Sequence, residues 1–287
     1  MPRMKIILDS TSDIPREWID KLDVTIAPLH IIWPDGNQED DTRDLDQIRD
    51  FYSRISNASA LPKTSQPSVG EFVNLFKEIQ NAGYEEVLTI CISRNLSGTY
   101  DSAITASQQV DIPVKVLDTR LASSAMPPVA LRARELERAG MSIEEIYKNL
   151  EREISQGRYR AIFYVSNFDF LIKGGRVSKF QGFIGSLLKI HVGLWIDPEG
   201  KLMPFEKARG LKRAQEMLIR RTEQLVPPGS KIRLIMVDAD AREHTKALLE
   251  ILKKRYQVES FVFSEMGKVI TTHVGPGTAG YGLEVLT

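Results

Sequence analysis

Four short polar clusters in this sequence hold residue types that bind anions or activate acyl groups. Asp9-Ser10-Thr11-Ser12-Asp13 follows a strand-like apolar run, and by type Ser12 or Asp13 reads as the cap of a helix around Pro15–Asp20. Thr64-Ser65-Gln66-Pro67-Ser68 puts hydroxyls and an amide just before an amphipathic segment. Ser68 suffices for that cap, which leaves Thr64 available to an anion at the helix start. Ser93-Arg94-Asn95-Leu96-Ser97-Gly98-Thr99-Tyr100 resembles a strand–turn–helix anion loop. It is not a G-x-S-x-G nucleophile elbow, because Asn95 and Thr99 stand where the outer glycines belong, and the G-x-x-x-x-G-K-S/T phosphate loop is absent. A hydrolase built on Ser97 would need a His base held by an acid, which four His residues leave open. His273-Val274-Gly275-Pro276-Gly277-Thr278-Ala279-Gly280 lets backbone approach a ligand closely, and His273 can donate a hydrogen bond to an anion. A structural histidine fits that position equally well.

These clusters fall at strand ends and loops. The first half alternates strand candidates at 4–8, 24–29, 86–92 and 114–118 with helical patterns at 68–82, 98–110, 121–139 and 143–156. The 68–82 helix opens with a Ser68/Glu71 capping box, and Phe72, Leu75, Phe76 and Ile79 then share one face. Alternation of this kind predicts an α/β fold, its first domain a mostly parallel Rossmann-like sheet with flanking helices. Ligands of such sheets gather at the carboxyl ends of the strands. A second α/β series has strand candidates at 160–166, 193–197, 201–206, 231–237 and 257–263, with helices at 210–225 and 241–255. Asp197-Pro198-Glu199-Gly200 predicts a hairpin turn within it. The expected division is residues 1–157 and 158–287, the second a C-terminal α/β sandwich with a mixed sheet.

Composition narrows the function. The 287 residues hold 38 basic and 38 acidic side chains, so the basic excess of a phosphate-tracking nucleic-acid binder is missing. One cysteine, Cys91, makes neither a disulfide framework nor a Cys-rich metal site, and no metal or cofactor is expected. No run approaches the roughly 20 apolar residues of a membrane span, and the N-terminus lacks the pattern of a secretory signal, so a cytoplasmic protein is expected. Phe180, Phe183, Ile184 and Leu187 recur at helical spacing beside Gly182, Gly185 and Ser186. That stripe reads as an ordinary core helix or as one wall of a ligand tunnel. The basic stretch around Lys207, Arg209 and Lys212 reads as a solvated helix start or a docking patch.

Taken in order, DSTSDIP (9–15), APL (27–29), KTSQPS (63–68), SRNLSGTY (93–100), LDT (117–119), KGGRV (173–177), KARGLKRA (207–214) and HVGPG (273–277) resemble the DegV family, the fatty-acid-binding partners of bacterial fatty acid kinase. The resemblance spans nearly the whole chain. It implies two α/β domains with a long-chain fatty acid such as palmitate in a tunnel at or near their interface. It implies that Thr64, Ser97 and His273 hold the carboxylate, with Ser65, Gly98 and Gly275 in a secondary headgroup loop. It implies that Arg209 docks to the kinase subunit, which phosphorylates the acid, so that this protein is a carrier without a catalytic centre. Two stretches depart from the family pattern, Lys189-Ile190-His191 and Ser123-Ser124-Ala125-Met126-Pro127-Pro128. Either would alter preference for chain length or saturation before abolishing binding. The competing readings are a hydrolase or other enzyme using Ser97 and His273 on a small acyl or anionic substrate, and a lipid-responsive regulator. The latter lacks a recognisable DNA-binding motif.

Overall fold

A computed structural model describes residues 2–177 and 190–286. Its first half runs β1 (Met4–Asp9), α1 (Arg16–Lys21), β2 (Val24–Ala27), β3 (His30–Ile32), β4 (Gln38–Asp40), α2 (Leu45–Ser56), β5 (Lys63–Ser65), α3 (Val69–Asn81), β6 (Glu86–Cys91), α4 (Thr99–Ser107), β7 (Val114–Asp118), α5 (Pro127–Arg138) and α6 (Ile143–Ser155). The second half runs β8 (Tyr159–Val165), α7 (Phe168–Gly174), β9 (Ile190–Ile196), β10 (Leu202–Arg209), α8 (Leu211–Leu225), β11 (Lys231–Asp238), α9 (Arg242–Lys253), β12 (Gln257–Glu265), α10 (Lys268–Val274) and β13 (Ala279–Val285).

Strands β2-β1-β6-β7 form a four-stranded sheet, parallel throughout. Near-continuous burial of β1 and β6 fits a sheet covered on both faces. A separate six-stranded sheet has the order β10-β9-β8-β13-β11-β12, antiparallel except at β11/β12. The β9–β10 hairpin closes at the predicted turn, with Gly200 N–H donating to the Asp197 carbonyl at 2.9 Å. One face of this sheet packs under α8 and α9 through Ile162, Tyr164, Leu234, Met236, Tyr281 and Leu283. The other contributes Ala161, Val165, Val192, Leu194, Ile235 and Val237 to a core shared with β1, β6 and α5. That shared core closes the space between the two sheets.

Several elements differ from their sequence-level reading. The segment 121–139 is not one helix: a 3-10 turn at Ser123–Ala125 precedes α5, which starts at Pro127, where a missing N–H costs nothing. Neither Ser12 nor Asp13 caps α1, whose N-cap Pro15 has no side-chain partner. Asp9 instead caps a 3-10 turn over Ser10–Ser12, and Asp13 takes a left-handed backbone (φ 49°) that turns its carboxyl inward. The small antiparallel sheet β4-β3-β5, which was not anticipated, carries Thr64 opposite Ile31. Residues 279–280 are not loop but the start of β13. The predicted wall residues Phe180, Phe183, Ile184 and Leu187 lie outside the described residues.

Strand β13 explains its own glycines. Ala279, Tyr281 and Leu283 face the α8/α9 core. On the opposite face a β-carbon at Gly282 would fall 2.0 Å from the Ser124 carbonyl oxygen. Only glycine lets the Ser123–Ala125 turn rest directly on the sheet. Because the obstructing atoms are backbone, Gly282→Ala is expected to destabilise by about 2–3 kcal/mol, the upper range for overpacking. A lowered midpoint in denaturant unfolding would show this; an unchanged midpoint would mean the turn moves aside freely.

Candidate functional site

A cavity of about 340 Å³ lies between the two sheets, at the small end of the range for small-molecule sites. Its walls are mostly apolar: Leu29, Ile92 and Leu96 from the first half, Phe163, Val237 and Val269 from the second. Polar groups cluster where Arg94 and Arg176, both exposed, mark the mouth.

Each polar group arrives on a different element. Thr64 comes from β5, held by the β3 ladder. Ser97 sits in the turn between β6 and α4, one residue before the N-cap Gly98. His273 lies in the last turn of α10. The structure brings Thr64 and His273 into contact, Thr64 Oγ1 and His273 Nε2 being 2.9 Å apart. Ser97 Oγ lies 2.9 Å from Thr99 Oγ1, whose side chain is fully buried. Ser65 and Gly98 also line the cavity, and Gln66 lies so close to Gly98 that a β-carbon there would come within 2.9 Å of its amide nitrogen. Gly275 does not line it: with φ 79° it ends α10 and packs against Phe170. Arg209 ends β10, exposed and outside the cavity wall.

The α10 helix is positioned by a buried polar seam. Asp13 accepts from Gly267 N–H at 2.7 Å and from the Ser123 hydroxyl. Arg43 donates to Ser264 Oγ at 2.9 Å and to the Glu265 carbonyl at 2.7 Å, with its other nitrogen 3.5 Å from Asp13. Asp41 accepts from Lys268 N–H at 2.8 Å. The corner between β12 and α10 is thereby fixed to the DSTSD loop. Burial pushes the Asp13 carboxyl up to about 7 despite the Arg43 guanidinium, and the Asp9 and Asp41 carboxyls up to about 6.

His273 is held neutral. Burial, with the nearby Arg176 guanidinium second, lowers it to about 4. Its Nδ1 is enclosed beside the Gly174 backbone, whose weak hydrogen bond opposes the shift without reversing it. Gly174 packs directly on this ring, and a β-carbon there would approach Nδ1 to 2.8 Å. Residues 178–189 contain no carboxylate that could orient the imidazole. Ser97 pairs with Thr99, and His273 pairs with Thr64, so the described residues do not assemble the nucleophile–base–acid chain of a serine hydrolase. Among the described residues no cluster of His, Cys, Asp and Glu could hold a metal ion, and no helix is long and apolar enough to cross a membrane.

Two sheets enclosing an apolar cavity with hydroxyls, a neutral imidazole and two arginines at its mouth define an α/β protein built to hold an amphipathic small molecule. A family model described as uncharacterised protein, DegV family, matches residues 3–285. A Thermotoga maritima protein named fatty acid-binding protein is 50% identical over 284 residues, covering 99% of this chain and 98% of its own. A solved structure of a hypothetical Thermotoga maritima protein, described as revealing fatty acid binding function, superposes with a TM-score of 0.95 at 48% identity over 100% of both chains. One from Thermus thermophilus, described as fatty acid binding of a DegV family protein, gives 0.89 at 32% identity over 99% of this chain and 100% of its own. The chain belongs to the DegV family.

Arg94 and Arg176 were quoted in sequence motifs but given no role there. The signal available was their place beside the Ser97-Gly98 and Gly174-Gly175 turns. Of the two departures, Ser123 and Ser124 line the cavity, whereas His191 does not: its Nδ1 lies 2.9 Å from Ser166 Oγ.

The depressed His273 carries a sign. Folded, it stays neutral down to about pH 4; unfolded, it protonates near 6.5. Its contribution is therefore complete above pH 6.5 and is lost as pH falls from 6.5 to 4, by up to about 3 kcal/mol. In the ligand-free protein, His273→Asn is expected to flatten the fall of unfolding free energy across that window. An identical slope in both proteins would show that His273 is not buried as a neutral group.

Proposed function

We propose that this protein binds a long-chain fatty acid with its tail in the cavity and its carboxylate at the Thr64, Ser97 and His273 end, and presents that carboxylate to a kinase subunit. The observation that carries this reading is the pair of backed hydroxyls beside an apolar cavity. With the proton on Nε2, His273 donates to Thr64 Oγ1, which frees the Thr64 hydroxyl to donate onward. With the Thr99 hydroxyl as the donor of its contact with Ser97 Oγ, the Ser97 hydroxyl is freed in the same way. A carboxylate then receives two oriented O–H donors without a buried cation, and the exposed Arg94 and Arg176 add positive potential at the mouth. Burying a sixteen-carbon tail contributes about 11 kcal/mol gross at about 0.8 kcal/mol per CH₂.

Names and descriptions of the relatives support the ligand class. The family resemblance supports the kinase step, with exposed Arg209 as the docking residue. In this reading residues 1–157 and 158–287 are two α/β units with the tunnel at their interface. The confinement of the parallel strands to residues 4–118 and of the mixed sheet to residues 159–285 supports that division. The protein acts as a cytoplasmic carrier, the chemistry belonging to the partner.

Thr64→Ala with Ser97→Ala is expected to leave the thermal midpoint near wild type and to weaken fatty-acid binding by about tenfold to a hundredfold, one to two charge-assisted hydrogen bonds. Titration calorimetry or a fluorescent acyl-probe displacement assay measures this. Ordinary affinity in the double variant would sink the headgroup assignment.

A further inference from the structure

The cavity has a second polar patch, more deeply buried than the first. Thr11, Ser123 and Ser124 all line it, and they are 0%, 8% and 1% exposed, whereas Thr64 and Ser97 are half-buried. Two of the three hydroxyls already use their protons: Thr11 donates to Asp9, and Ser123 donates to Asp13. Ser124 is different. It is buried, it borders the cavity, and its hydroxyl has no hydrogen-bond partner among the described residues. It is locked in place, because its carbonyl rests on Gly282 of β13. Gly282 is three residues, about 10 Å of strand, beyond Ala279, where β13 leaves the loop after His273.

An unpaired hydroxyl against a hydrocarbon tail is unfavourable. The surrounding chemistry says what would satisfy it. Thr11 and Ser123 have only acceptor lone pairs left, while Ser124 can both donate and accept. A ligand hydroxyl, which donates and accepts, can meet all of them. A ligand ketone, which only accepts, can be met by Ser124 alone, and a plain methylene by none.

Resting on the fatty-acid reading above, we infer that Ser124 sets specificity for acyl chains that carry a hydroxyl at a carbon remote from the carboxylate. The test is calorimetric binding of stearate, a positional series of monohydroxystearates and the matching ketostearates, to the wild-type protein and to Ser124→Ala. At one position the wild-type protein is expected to bind the hydroxy acid at least tenfold more tightly than stearate, with the ketone between them. Ser124→Ala is expected to tighten stearate and weaken that isomer, so that the preference disappears or reverses. If stearate binds and every hydroxy isomer binds more weakly in both proteins, the inference is overturned and a trapped water is the partner of Ser124. If neither stearate nor any isomer binds the wild-type protein, the fatty-acid reading falls, and this inference with it.

Discussion

The cavity depends on one interaction, the closure of the buried carboxyl of Asp13 onto a corner more than 250 residues away. Asp13 receives the Gly267 amide, Arg43 bridges Asp13 to the Ser264 hydroxyl and Glu265 carbonyl, and Asp41 receives the Lys268 amide. Burying these carboxyls is costly, as their raised proton affinity records. What the seam supplies is position. It anchors the first turn of α10, and the last turn of the same helix carries His273 to Thr64. The close fit at Gly267, where a β-carbon would lie 2.9 Å from the Asp13 carboxyl, leaves no room for slippage.

With α10 fixed, the mouth acquires an unusual balance of charge. The cavity's buried and half-buried polar groups are neutral hydroxyls and a neutral imidazole, while the permanent cations Arg94 and Arg176 sit exposed at its mouth. A buried cation would bind a carboxylate tightly and mask it. Hydroxyl donors can hold a carboxylate while leaving its charge open toward the mouth. The apolar wall, built from both sheets, supplies affinity without direction, so orientation falls to the few polar groups.

Much of this architecture was legible in the chain. Short β-branched runs separated by amphipathic periods marked the parallel sheet, and the Ser68/Glu71 box marked a helix start that both partners complete. Thr64, Ser97 and His273 were singled out by the family resemblance, each motif being weak by itself, and all three line one cavity. Asp13 was misread because local reasoning sees only the next turn, whereas its partners lie at Ser264 and Gly267. Helix α2 had a readable signature, Asp44 as cap with Ile48, Phe51, Tyr52 and Ile55 on one face. Strand β13 did not: its alternate glycines lower strand propensity, and their purpose emerges only when the Ser123–Ala125 turn is seen lying on them. Three-residue strands such as β5 are too short for any periodicity to report.

The central claim is that the cavity between the sheets holds a fatty acid. Denaturing extraction and mass spectrometry of the freshly purified protein test it most directly. The expected result is a near-stoichiometric long-chain acid whose tail reports the cavity's preference. A protein that yields no acid, and that takes up none when it is supplied, would contradict the claim.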